Sequence, residues 1–195
     1  IFTAENMGET DLATSSFGQS FNVTMTQMVS AFSSLINGGY YYQPHVVKQI
    51  QDENGNVIET NDPTLLRKTV SKQTSDRVKE ALRAVMTDGT GVPANVEGYD
   101  IGGKTGTAEK LPRGNGDYLL SFIGYAPQEN PEVVIYVVID EPNVENQELS
   151  SYVLELSQKI MAEAFPYLNI TRNGDALPED SGVREDVQQD FDENF

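Results

Sequence analysis

Apolar residues recur at helical spacing after Thr24, and this pattern predicts a first helix over residues 25–37. Thr24 and Gln27 lie three positions apart, as in a capping box, and glycines at positions 38 and 39 supply a stop signal. The predicted apolar face consists of Met25, Met28, Val29, Phe32, Leu35 and Ile36. Residues 1–23 are polar and interrupted by glycine, so we expect an irregular entry segment before this helix.

Two further segments have helical periodicity. One begins at Ser71, places apolar residues such as Leu82 and Met86 on one face, and ends at the turn Asp88-Gly89-Thr90-Gly91. The other covers residues 151–165, where apolar side chains span the wide arc expected of a helix that lies on a sheet. Residues 92–98 contain a proline and no period, which predicts a loop.

The remaining apolar segments are typical of strands. Residues 46–50 and 57–59 flank an Asp-Glu-Asn-Gly-Asn turn and predict a hairpin, after a connector at residues 40–44. Residues 101–109, 119–126 and 133–140 predict three strands, of which the last is continuously apolar and is expected to be buried on both faces. Their short connections predict an antiparallel meander, since parallel neighbours need a longer crossover.

Composition limits the possible partners and chemistry of this 195-residue chain. Its net charge of −17 argues against binding to nucleic acid or to an anionic membrane surface. The absence of cysteine excludes disulfides, thiolate metal sites and cysteine nucleophiles. No apolar run is long enough to span a membrane, and a start at Ile1 without methionine suggests an excerpt of a longer protein. Residues 171–195 hold eight acidic residues against two arginines and predict a disordered tail or linker.

The chain is most distinctive at residues 101–109, where Lys104 and two threonines lie among three glycines in a predicted strand. Glycine leaves room for an anionic ligand to approach the backbone closely, and the lysine and the hydroxyl groups can bind its charge. Residues 98–105 match the phosphate-binding pattern G-x-x-x-x-G-K-[ST]. Such a loop must follow a buried strand and open a helix, whereas Pro93 precedes this segment and glycines and a proline follow it. A nucleotide-binding protein is therefore a remote alternative.

Residues 104–107 also match the lysine-threonine-glycine box of serine acyl-transferases that bind penicillin. A peptide can add to the edge of such a strand, and Gly106 would let its backbone lie close. Lys104 and the hydroxyls of Thr105 and Thr107 would bind a substrate carboxylate. The Thr107 N–H would donate to the oxyanion of a tetrahedral intermediate, a contribution of about 3 kcal/mol to the transition state.

An ordered series of motifs resembles the C-terminal half of the transpeptidase domain of class B penicillin-binding proteins, over residues 17–167. The motifs are Ser16-Phe17-Gly18-Gln19, the Thr24…Gln27 helix ending Asn37-Gly38-Gly39, Pro44 before a strand, Asp88-Gly89-Thr90-Gly91, Gly102–Glu109 and residues 121–127. The resemblance implies an α+β fold, an antiparallel sheet with helices on both faces, as in penicillin-binding proteins and serine β-lactamases. It also implies cross-linking of peptidoglycan stem peptides outside the bacterial cytoplasmic membrane, acylation by β-lactams, and no cofactor. We expect the transpeptidase domain to occupy residues 1–170.

The family's nucleophile lies in an S-x-x-K motif, and no serine of this chain has lysine three residues later; Ser157 comes nearest, with Lys159 two residues on. The family's second motif, S-x-N, occurs as Ser20-Phe21-Asn22, close before the lysine box, and we interpret it as coincidence. We therefore expect this chain to be inactive alone and to be completed by an N-terminal part that carries S-x-x-K and S-x-N. A β-lactamase or D,D-carboxypeptidase, distinguished by fast deacylation, and a non-catalytic β-lactam sensor are the alternatives within the superfamily.

Several other residues have weaker claims to function. The single histidine, His45, is expected to be a surface residue, and the three tyrosines at 40–42 a packed connector. Two acidic residues at a strand end, Asp140 and Glu141, have no third ligand at metal spacing, so no metal is expected. Four residues could line the rim of a cleft: Glu109, Arg113, Asp117 and Tyr118.

Overall fold

The computed structural model describes residues 7–19 and 21–173 as an α+β arrangement of helices around an antiparallel sheet. Among these residues, no helix is both long and apolar enough to span a membrane. The helices are α1 (Glu9–Ser15), α2 (Met25–Ile36), α3 (Lys72–Thr87) and α4 (Ser151–Tyr167), with a short 3-10 turn at Val92–Ala94. The strands are β1 (Tyr40–Tyr42), β2 (Gln49–Gln51), β3 (Val57–Thr60), β4 (Leu65–Lys68), β5 (Gly102–Glu109), β6 (Tyr118–Ala126) and β7 (Val133–Asp140).

The main sheet has the strand order β5-β6-β7, and both of its pairings are antiparallel. Gly102 lies opposite Tyr125 at one end of the β5–β6 pair, and Glu109 lies opposite Tyr118 at the other end. This meander was predicted from the short connections, and the prediction is confirmed.

Helices cover both faces of the main sheet, as the family resemblance implied. On one face, Phe122 and its neighbours pack with Phe165 and other residues of α4. On the other face, Ile123 and Tyr125 pack with Phe32 of α2 and Leu82 of α3. The two clusters alternate along β6 because successive side chains of a strand point to opposite faces.

Strand β7 is less buried than its apolar sequence predicts. Side chains at odd positions of β7 join the cluster under α4, and Val134 and Tyr136 join the cluster under α2 and α3. Of the eight residues only Val137 is buried, because β7 is an outer strand of the described sheet and the helices leave part of it exposed.

The capping signals of α2 and α3 act as predicted. The Gln27 N–H donates to Thr24 Oγ1 at 3.2 Å, and the Thr24 N–H donates to Gln27 Oε1 at 2.9 Å. Ser71 accepts from the Thr74 N–H at 3.1 Å and begins α3. These bonds satisfy N–H groups that have no partner within a helix.

Three short elements differ from the sequence predictions. Helix α1 forms in the entry segment that was expected to be irregular, with the Gly8 N–H donating to the Asp11 carboxylate. Helix α1 buries no residue, so its sequence has no apolar face from which a helix could be predicted. Strand β1 forms where a connector was expected, and it pairs with β4, which the sequence did not predict. Both strands are too short for periodicity. The predicted hairpin is confirmed as β2–β3, although β2 starts later than expected.

The start of the predicted acidic tail contacts the rest of the chain. Asn173 N–H donates to the Gly98 carbonyl oxygen at 2.9 Å, and Arg172 Nε donates to the Tyr99 hydroxyl at 3.2 Å. Residues 174–195, which make up most of the predicted disordered tail, lie outside the described residues.

Candidate active site

Strand β5 places the lysine-threonine-glycine segment at the margin of the main sheet. It pairs with β6 along its whole length, and in the described part of the chain no strand pairs with its other edge. Its first two residues are buried, whereas Lys104 and Thr107 are exposed and Thr105 and Gly106 are half-buried. An outer strand of this kind keeps backbone donors and acceptors available for an added strand.

The packing of β6 leaves little room for a side chain at the three glycines of β5. A Cβ on Gly102 would lie 2.3 Å from the Tyr125 ring, and a Cβ on Gly103 would lie 2.7 Å from Phe122. A Cβ on Gly106 would lie 2.5 Å from Ser121 Oγ. The sequence had suggested that these glycines admit a ligand, but the space beside each of them is occupied by the protein's own side chains.

The cation of Lys104 lies against the strand backbone. Because side chains alternate along a strand, Thr105 and Thr107 lie on one face of β5 and Lys104 on the other. The Lys104 side chain nevertheless reaches back, and its Nζ donates to the Thr105 carbonyl oxygen at 2.8 Å. The ammonium group therefore lies against the backbone of Thr105, although the pleat directs the side chains of Lys104 and Thr105 to opposite faces of the strand.

The structure adds one residue that the sequence analysis did not assign to the site. Thr90 Oγ1 lies 2.9 Å from Thr105 Oγ1, close enough for a hydrogen bond between the two hydroxyls. In the sequence, Thr90 was distinguished only as part of the glycine-rich turn that ends α3. Fifteen residues separate the two threonines, so only the packing of α3 beside β5 brings them together.

Helix α3 is also joined to the entry of β5 by an ion pair. Arg83 Nη2 lies 3.0 Å from the Asp100 carboxylate, and both side chains are partly exposed. Such exposed pairs contribute little to stability, typically below about 1 kcal/mol. The pair is one further contact between α3 and the segment that leads into β5.

The expected rim residues have bonds within their own loop. Glu109 Oε1 accepts from the Gly114 N–H, and Asp117 Oδ2 accepts from Asn115. Partial burial, together with the negative charges of Glu109 and Glu148, raises the pKa of Tyr118. Arg113 is exposed in this loop. These residues shape the loop that follows β5, while their contact with a substrate stays a prediction.

The other candidates have structural partners. Asp140 and Glu141 both form ion pairs with Lys110. These contacts raise the pKa of Lys110, and the hydrogen bond to Glu141 has the largest effect. Within the described residues, no group of three potential ligands forms a metal site. His45 is exposed. The tyrosines at 40–42 form β1, where Tyr40 and Tyr41 stack with Lys68 and Arg67 of β4.

The serine nearest to an S-x-x-K motif is unsuitable as a nucleophile. Ser157 is fully buried in α4, and its Oγ donates to the Val153 carbonyl oxygen at 2.6 Å. In the S-x-N match at residues 20–22, Ser20 lies outside the described residues.

The phosphate-loop alternative is wrong. Such a loop needs a helix directly after the lysine, whose N–H groups face the phosphates. Here Lys104 is followed by the rest of β5, and among the described residues the next helix begins at Ser151.

An outer strand bearing Lys-Thr-Gly-Thr, in a sheet with helices on both faces, defines the class of acyl-transferases that bind penicillin. The model of the penicillin-binding protein transpeptidase domain matches residues 3–164, and the chain belongs to this family. The resemblance found in the sequence is thereby confirmed.

Individual relatives agree with this assignment. Stage V sporulation protein D of Bacillus subtilis is 36% identical over 174 residues, which cover 87% of this chain and 27% of that protein. The probable peptidoglycan D,D-transpeptidase PenA of Neisseria flavescens is 33% identical, covering 67% of this chain and 31% of that protein. The crystal structure of penicillin-binding protein 3 from Mycobacterium tuberculosis, complexed with ampicillin, superposes with a TM-score of 0.76 at 27% identity, covering 91% of this chain and 42% of that one. The chain thus spans less than a third of these two curated relatives.

Proposed function

We propose that this chain is the part of a peptidoglycan D,D-transpeptidase that forms one wall of the active-site cleft. The observation that carries the proposal is the Lys-Thr-Gly-Thr segment on the outer strand β5, with the Lys104 ammonium against the backbone beside Thr105. Membership of the transpeptidase family supports it, as does the similarity to a Neisseria protein that is named a probable peptidoglycan D,D-transpeptidase. The ampicillin complex of the mycobacterial neighbour supports β-lactams as ligands of this chain's parent enzyme.

In this proposal, β5 binds the acyl donor as an added strand. Lys104 and the hydroxyls of Thr105 and Thr107 hold the carboxylate of the stem peptide or of the β-lactam, because charge-assisted hydrogen bonds are the strongest available here. Gly106 lies beside the bound backbone. The Thr107 N–H donates to the carbonyl oxygen that becomes negative in the tetrahedral intermediate.

The nucleophile comes from a preceding part of the same protein that carries S-x-x-K and S-x-N, since no serine of this chain has the required lysine. The serine oxygen attacks the peptide carbonyl, forms an ester and expels the terminal residue as an amine. An amino group of a second stem peptide then attacks the ester, which forms the cross-link and restores the serine. A β-lactam opens its ring to give the corresponding ester.

The extent and location of the domain are part of the proposal. We assign residues 1–170 to the transpeptidase domain and residues 171–195 to an acidic tail with eight carboxylates. The enzyme acts on the outer side of the bacterial cytoplasmic membrane, where its peptidoglycan substrate lies, and is anchored by a segment outside this chain.

The proposal is tested by acylation of the full-length protein with a labelled penicillin. We expect Lys104→Ala to slow acylation roughly 10- to 150-fold, which corresponds to the loss of about 1.5–3 kcal/mol for a hydrogen bond to a charged group. Lys48→Ala is the matched control, because Lys48 is exposed and precedes a hairpin that belongs to a different sheet. Equal acylation of the Lys104→Ala and wild-type proteins would refute the proposed role.

A further inference from the structure

The hydroxyl of Thr105 has a partner on another element of the fold. Thr90 Oγ1 lies 2.9 Å away, and either oxygen can be the donor. Thr90 belongs to the turn after α3, whereas Thr105 belongs to the strand that carries Lys104. The contact therefore joins the end of a helix to the centre of the proposed carboxylate site.

The turn that carries Thr90 is fixed closely against α3. The Gly91 N–H donates to the Val85 carbonyl oxygen at 3.0 Å, which holds the turn to the last part of the helix. A Cβ on Gly89 would lie 2.9 Å from that same carbonyl oxygen, and a Cβ on Gly91 would lie 2.5 Å from the sulfur of Met86. Glycine on both sides of Thr90 is thus required for this approach, and the position of the threonine is set by the helix.

The direction of the bond between the two hydroxyls decides what Thr105 can bind. A threonine hydroxyl has one proton to donate and can accept two hydrogen bonds. If Thr105 donates to Thr90, its proton is no longer available for an anion. If Thr90 donates to Thr105, the Thr105 proton is free to point at a carboxylate. Hydrogen bonds in such a chain also strengthen one another, because each polarises the next.

We propose that Thr90 is a positioning residue that donates to Thr105 and thereby aims the Thr105 proton at the carboxylate of the acyl donor. The inference rests on the proposed function, since it gives Thr90 a task only if Thr105 binds that carboxylate. Thr90 itself does not touch the reacting atoms.

The test measures acylation rate constants of the full-length protein with a penicillin and with the methyl ester of the same penicillin. Thr90→Val removes the hydroxyl and keeps the shape of the side chain. We expect it to slow acylation by the free acid about 2- to 10-fold, the range of one neutral hydrogen bond, and to leave the methyl ester unaffected. Thr90→Ser should restore the rate with the acid. Thr74→Val, at the opposite end of α3, is the matched control, because its hydroxyl also meets another hydroxyl, that of Ser71.

A double-mutant cycle keeps the test independent of any change in folding. In a Thr105→Val background, a further Thr90→Val change should have no effect on the rate, because the hydroxyl that it orients is already absent. Additive effects of the two changes would overturn the inference, as would equal slowing of the acid and the ester.

The inference and the proposed function fail in different ways. If Lys104→Ala slows acylation while Thr90→Val leaves it unchanged, the carboxylate site stands and the role of Thr90 is wrong. If Lys104→Ala has no effect, the proposed function fails, and the role of Thr90 fails with it.

Discussion

Replacing Gly106 by alanine tests why a glycine stands at the centre of the Lys-Thr-Gly-Thr segment. The added Cβ would lie 2.5 Å from Ser121 Oγ, whereas the next nearest atom, Ser121 Cβ, is at 3.9 Å. Relieving the first contact requires Oγ to move by roughly 1 Å, because close packing leaves little free space beside it. The second distance is an ordinary contact, so the serine oxygen alone causes the overlap.

The expected change in the free energy of unfolding is the difference between two effects. Overpacking costs about 1–3 kcal/mol, and the low end applies because a serine hydroxyl can rotate away. Gly106 lacks the positive backbone φ that disfavours alanine, and replacing glycine at such a position stabilises by about 0.4–1 kcal/mol through the unfolded chain. We therefore expect Gly106→Ala alone to destabilise by about 0.5 kcal/mol. In a Ser121→Ala background the sign should reverse, to a stabilisation of about 0.5 kcal/mol.

The assay is denaturant or thermal unfolding of the four proteins of the cycle, with penicillin acylation measured on each. Ser121→Ala alone is the control. If packing explains the glycine, the double variant should regain both stability and acylation. Recovery of stability without acylation would show that a ligand needs the space beside Gly106. The packing argument itself would be refuted if Gly106→Ala destabilised the protein equally with and without Ser121 Oγ.

Two further predictions concern residues away from the acyl-donor site. Thr24→Ala removes the side chain that accepts from Gln27 N–H at the start of α2, and it should lower the free energy of unfolding by about 1 kcal/mol in denaturant titrations; an unchanged midpoint would show that the cap contributes nothing. Ser157→Ala should leave penicillin acylation at the wild-type rate, because the Ser157 hydroxyl is buried and bonded to the Val153 carbonyl oxygen. Loss of labelling there would mean that this chain contains the nucleophile.

The larger elements could be predicted because their causes are local. The capping box at Thr24 and the helical period that follows it define α2, and Ser71 defines the start of α3 in the same way. Connections too short for a crossover force the three main strands to be antiparallel. The position of Lys104 and Thr105 on a strand of this sheet followed from these elements.

Other features depend on contacts between distant parts of the chain. Strands β1 and β4 have three and four residues, and only their mutual pairing shows them to be strands. The contact of Thr90 with Thr105 requires α3 to pack beside β5, which no local pattern encodes. The sequence associated the glycines of β5 with the close approach of a ligand, whereas the groups that lie against them in the structure are the side chains of Tyr125, Phe122 and Ser121.

The central claim is that Lys104 on β5 helps to bind the carboxylate of the acyl donor. The most direct measurement is the ratio of acylation rate constants of Lys104→Ala and Lys48→Ala in the full-length protein, with the same labelled penicillin. We expect a ratio of about 0.1 or lower, from the loss of a charge-assisted hydrogen bond. A ratio near 1 would contradict it, because Lys104 would then contribute no more to acylation than an exposed lysine beside the hairpin.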